Sequence, residues 1–117
     1  MAYMLLVMEP LGQRQTRTEA EGRALYQRML DYSDDLRRRG LLTLAQALTS
    51  DTKGVRLSTR GERTSVIDGP FAEAREMVGG FFLLTCATRE EAIALARQCP
   101  AAQWATIEVR ELGPCYE

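Results

Sequence analysis

The chain has 117 residues, enough for one domain over residues 1–117 and too few for a second of ordinary size. Lys plus Arg total 15 and Asp plus Glu 16, a net charge of −1, so the chain as a whole has no electrostatic pull toward nucleic acid or an anionic membrane. It contains no histidine, which removes the commonest general base at neutral pH and the commonest metal ligand.

Tyr3–Met8 (YMLLVM) is a short continuous apolar run, which suits a strand buried on both faces; it is far too short to span a membrane. Pro10 and Gly12 end it, and Gln13–Arg17 reads as a polar connection. Thr18 with Glu21 three residues later forms a capping box, and Leu25, Met29, Tyr32 and Leu36 then recur as one helical stripe. Arg37–Arg39 in the last turn complement the helix dipole, and Gly40 is a stop. The structural reading of this arginine run outweighs a phosphate site.

Leu41–Leu48 reads as a strand with Leu42, Leu44, Gln46 and Leu48 on one face, with a helical turn over LTLAQAL as the alternative. Asp51–Gly54 is a turn. Val55–Ser58 and Thr64–Ile67 predict a hairpin around Arg60-Gly61-Glu62, with Val55, Leu57 and Val66 on its apolar faces. Asp68-Gly69-Pro70 breaks this ladder. Phe71–Met77 has helical phase for one or two turns, ended by Gly79-Gly80, whose role is a positive-φ turn and close packing. Phe81–Cys86 (FFLLTC) predicts a second doubly buried strand. Thr88 with Glu91 is a second capping box, Ala92, Leu95, Ala96 and Cys99 the stripe of a second helix, and Pro100 its stop. Trp104–Val109 alternates as a half-exposed strand, and Gly113–Glu117 is a tail. Two capped helices, each between apolar strands, make a split β-α-β pair with an inserted hairpin: a ferredoxin-like α+β plan. The apolar strands require a cover on the sheet face opposite the helices. A two-fold homodimer packed sheet on sheet is the expected cover.

Asp68-Gly69-Pro70-Phe71-x-Glu73-x-Arg75-Glu76-x-x-Gly79-Gly80-Phe81 resembles the hallmark of the YCII-related (YciI-like) family, in its DGPF-domain branch. Softer agreement at Tyr3–Leu6, Val55-Arg56, Glu90–Ala92, Cys99-Pro100 and Ile107–Arg110 extends the resemblance over essentially the whole chain. It implies a dimeric α+β barrel of ferredoxin-like protomers. Among relatives it implies chemistry such as dehydrochlorination of a chlorinated hydroxyquinol, and a fold like that of muconolactone isomerases. Those relatives use an Asp, often with a His, in a pocket between sheet and helices. The Asp corresponds to Asp68; the His has no counterpart here. DGPF proteins are also often encoded beside alternative sigma factors, which implies an accessory setting.

Asp68 has two readings: a turn residue capping a short helix, or a general acid/base in an apolar hollow walled by Phe71, Met77, Phe81 and Phe82. Glu73 and Glu76, three apart on the expected helix, are either solvent-facing first-turn residues or a carboxylate pair. Arg75 and Arg56 are either ion-pair partners or anion binders. The expected site is therefore Asp68 as catalytic residue, with Arg56, Phe71, Glu73, Arg75 and Phe81 binding substrate. No metal site and no cofactor are expected. The cysteines Cys86, Cys99 and Cys115 form no C-x-x-C pair, which argues against zinc and redox sites. Cys86 and Cys99 are expected inert in the core, and Cys115 is the reactive thiol. Without a basic leader the expected location is the cytoplasm. The expected function is a small lyase or isomerase acting through Asp68 on an unknown small molecule. The alternative is a non-catalytic small-molecule-binding or sigma-factor-associated accessory protein.

Overall fold

A computed structural model describes residues 2–116; Met1 and Glu117, the outer ends of the N-terminal run and of the predicted tail, lie outside the described residues. The chain runs β1 (Ala2–Pro10), α1 (Glu19–Arg38), β2 (Leu42–Ala47), a hairpin of β3 (Val55–Arg60) and β4 (Arg63–Asp68), β5 (Glu76–Thr85), α2 (Arg89–Gln98) and β6 (Thr106–Glu111). Four strands form an antiparallel sheet in the order β2-β5-β1-β6, and β3-β4 form a separate ribbon. With the hairpin set aside, this is the β-α-β-β-α-β order and sheet sequence of a ferredoxin-like α+β fold.

The helices begin where their caps put them. Thr18 Oγ1 accepts from Glu21 N–H at 3.1 Å, and Glu21 Oε1 accepts from Thr18 N–H at 2.8 Å, a complete capping box. Gly40, at φ 72°, stops α1. Its arginines Arg37, Arg38 and Arg39 pair with Asp34 and Asp35 along the helix surface. At α2 only half the box closes: Glu91 N–H donates to Thr88 Oγ1, while the Glu91 carboxylate takes the N–H of Ala87 in place of the cap's own. The core lies between the helices and one sheet face, where Leu5, Leu36, Leu84 and Leu95 are fully enclosed. The Tyr32 hydroxyl crosses from α1 to α2, donating to the Leu95 carbonyl at 2.6 Å.

Several expectations need correction. β1 and β5 alternate: Tyr3, Leu5, Val7, Phe82 and Leu84 are buried under the helices, whereas Met4, Leu6, Met8, Phe81 and Leu83 are half-buried on the outer face. A register shift between Leu42 and Leu44 turns these two leucines to opposite faces of β2, leaving Leu44 exposed. The hairpin buries neither face; Leu57 is 66% and Val66 60% exposed. Residues 71–77 form no helix. The chain makes a turn at Phe71–Ala74, where Ala74 N–H donates to the Phe71 carbonyl at 3.0 Å, and enters β5 at Glu76. A helix of one or two turns is too short to hold by local phase alone, and the Phe71 N–H is taken by the Asp51 carboxylate. Gly79 and Gly80 accordingly lie within β5 and take no positive φ; their close-packing role is the one the structure shows.

Candidate functional site

Between α1 and the inner sheet face opens a cleft of about 710 Å³, within the range of small-molecule pockets. Tyr26, Met29 and Leu30 of α1 wall one side, and Phe82 and Trp104 belong to the other. Its floor holds Glu9, the last inward residue of β1, which is only 6% exposed. β1 carries it there by simple alternation: Tyr3, Leu5, Val7 and Glu9 share one face.

Arg14, in the single 3₁₀ turn Arg14–Thr16 after β1, holds this carboxylate from two sides. Its Nε donates to Glu9 Oε1 at 2.9 Å and its Nη2 to Oε2 at 2.6 Å, a bidentate pair. Nη1 donates to the Leu48 carbonyl at 2.8 Å and Nη2 also to the Gly79 carbonyl at 3.2 Å. Hydrogen bonding to Glu9 raises the guanidinium above its ordinary pKa, and burial opposes that only in part. Arg14 therefore laces β1 to the end of β2 and to β5.

The glycines make room for this pair. The β1–β5 register shifts so that Val7 faces Gly80 and Met8 faces Val78, leaving Gly79 as the extra residue of a bulge. A Cβ on Gly79 would overlap the Glu9 carboxylate, and one on Gly80 would stand 2.9 Å from the Gln46 carbonyl. Just before α1, Arg17 of the lining is half-buried and its side chain makes no hydrogen bond or ion pair among the described residues, whereas Arg23 pairs with Glu19 at 2.7 Å.

Of the residues expected to form the site, only Phe81 belongs to the cleft lining, and its place in the pleat, opposite Leu6, is on the outer sheet face. Asp68 ends β4 at the surface, opposite Val55, and its carboxylate makes no hydrogen bond among the described residues. Glu73, Arg75 and Glu76 are exposed, and without a helix Glu73 and Glu76 share no helical face. The structure does bring Arg56 and Phe71 together: the guanidinium carbon stands 4.2 Å from the ring centroid. This corner is organised by Asp51, which the sequence places in a turn. Its Oδ2 accepts from Phe71 N–H at 3.2 Å, and its carbonyl lies where a Cβ on Gly69 would fall. Glu9, Arg14 and Arg17 were also missed. The available signal was a charged residue at an inward position of an apolar strand. Among the described residues no three of Cys, Asp and Glu converge as metal ligands, and no helix is long and apolar enough to cross a membrane.

A family model described as the YCII-related domain matches residues 1–115. An uncharacterized protein of Rhizobium meliloti (strain 1021) is 39% identical over 76 residues, which cover 63% of this chain and 61% of that protein. The aligned stretch thus spans less than two thirds of that relative's length.

Proposed function

The chain belongs to the YCII-related family, and from that premise we propose that it binds a small molecule in the cleft between α1 and the sheet, with Glu9 as the fixed polar group of the floor. The observation that carries this reading is the Glu9–Arg14 pair. Removing two charges from water is costly, and a pair of apolar residues would fill the same volume at no such cost. Here the pair sits in the wall of an open hollow, each Glu9 oxygen receives one Arg14 donor, and each keeps a lone pair for a ligand donor. A rigid carboxylate beside an apolar wall orients a bound molecule.

A second reading keeps turnover, with Asp68 as acid/base in lyase or isomerase chemistry. It is favoured by the hairpin, where Asp68 shares a face with Val55, Leu57 and Val66, all exposed in one protomer. A second copy laid on that face would turn it into the wall of an apolar hollow. In this reading the homodimer completes the site.

A thermal-shift screen of small metabolites on wild type, Gly22→Leu and Asp68→Asn separates the two. Gly22 belongs to the cleft lining, and no atom lies within 4 Å of where its Cβ would stand, so a leucine there starts in open space at the cleft wall. A hit at about 100 times its Kd stabilises by about 2.7 kcal/mol. The cleft reading expects that gain in wild type and Asp68→Asn and its loss in Gly22→Leu. The converse pattern moves the site to Asp68.

A further inference from the structure

Resting on the cleft as the ligand site, we infer the class of its ligand: a flat apolar molecule, aromatic in size and shape, bearing one anionic group that meets Arg17. Five charged side chains line the cleft. Glu9 and Arg14 are paired, as are Glu19 and Arg23. Arg17 alone makes no ion pair among the described residues; the one carboxylate it acts on, Glu21, lies outside the lining and accepts from the Thr18 N–H, so the lining itself carries one unbalanced positive charge. A half-buried cation without a partner is unfavourable, and an incoming carboxylate, sulfonate or phosphate offsets that.

The same end of the cleft has space for such a group. Gly22 stands one turn into α1, at a helical position where glycine costs about 1 kcal/mol relative to alanine. The volume it vacates is open. From there the lining continues along the helix through Tyr26, Met29 and Leu30, about 12 Å at 1.5 Å per residue, facing Trp104 and Phe82. Tyr26 and Leu30 are 52% and 38% exposed, apolar surface awaiting cover. Polar end and apolar body are thus laid out in order along one helix. A cationic ligand fits this layout poorly. Arg14 already balances the charge of Glu9, which leaves its oxygens able to accept from a neutral donor, and the unpaired charge of the lining is the positive one of Arg17.

Trp104 is the sole tryptophan and lines the cleft, so its fluorescence reports occupancy directly. Three probes of one shape test the charge: 4-biphenylacetate, its amide, and 4-biphenylmethylammonium. Wild type is expected to bind the acetate about ten-fold more tightly than the other two. Arg17→Gln removes that advantage and leaves the amide unchanged. Gly22→Leu excludes all three while its circular dichroism and melting temperature show an intact fold. An ammonium probe bound as tightly as the acetate, or an acetate preference that survives Arg17→Gln, overturns the ligand class and leaves the cleft standing. Unaltered binding in Gly22→Leu, or no saturable quenching by any probe up to about 5 mM, overturns the cleft itself.

Discussion

Glu9 follows Tyr3, Leu5 and Val7 on the inward face of β1, so its parity was legible in the sequence. Its partner was not. Arg14 reaches it only because Gly79, far along the chain, bulges and leaves a gap that any side chain would fill. A double glycine before an apolar strand signals close approach without saying to what. The three cysteines were easier, because a thiol within an apolar stripe has one plausible environment. Cys86 and Cys99 are buried and Cys115 exposed. Burial pushes the Cys99 thiol up to about 11, against the lowering effect of the Ala101 and Ala102 amides, and burial raises Cys86 as well. Between the ordinary thiol value and 11 the folded state holds the Cys99 proton that the unfolded chain has lost. The unfolded state therefore binds fewer protons there, and stability falls as pH rises through that window. We expect the Cys99 share of this fall to be about 2–3 kcal/mol, measured by urea unfolding at pH 8 and pH 11 and absent from Cys99→Ala. At pH 8 an aromatic disulfide reagent should titrate one thiol in the native protein, Cys115, and the others only on unfolding. Fast reaction of Cys99 in the native state would contradict its burial.

At the scale of elements, periodicity and caps located the four core strands and both long helices, because each is long enough for its pattern to dominate. The segment between Ile67 and Phe81 was misread because its geometry comes from elsewhere in the fold. Asp51, from the turn before β3, takes the Phe71 amide on its carboxylate, and Gly69 N–H donates to the Gly54 carbonyl at 2.9 Å. The Asp-Gly-Pro-Phe corner is thereby tied to the turn at Asp51–Gly54, and Arg56 covers Phe71. Local helical phase over residues 71–77 competes with these contacts and loses. Asp51→Ala deletes the acceptor while leaving the main core untouched. Its global unfolding free energy should change by about 1 kcal/mol. Amide exchange at Phe71 and through β3 and β4 should quicken about ten-fold, because the ribbon gains no stability from buried side chains. Hydrogen–deuterium exchange resolved by segment checks this. Unchanged protection at Phe71 would show that Asp51 is not what holds the corner.

The whole molecule is a slab, 47 × 42 × 18 Å across its Cα positions, one sheet deep and one helix layer deep. The helices cover one sheet face. On the other, Met4 and Leu6 of β1 face Leu83 and Phe81 of β5, all partly exposed, with the exposed Leu44 beside them on β2. One face of the hairpin adds Val55, Leu57 and Val66, each more than half exposed. In the proposed homodimer this apolar surface is what associates, and a two-fold pairing closes it without leaving a free edge to polymerise. Light scattering at micromolar concentration should therefore give twice the protomer mass of 13.1 kDa. Leu83→Glu places a charge at the centre of the outer face, away from the helices and the cleft, and should yield a folded species of the single mass. If wild type itself has the single mass, the outer face is solvent-facing as it stands, and the second reading of Asp68 falls with the dimer. The cleft between α1 and the sheet would survive that result, since every residue lining it comes from one protomer.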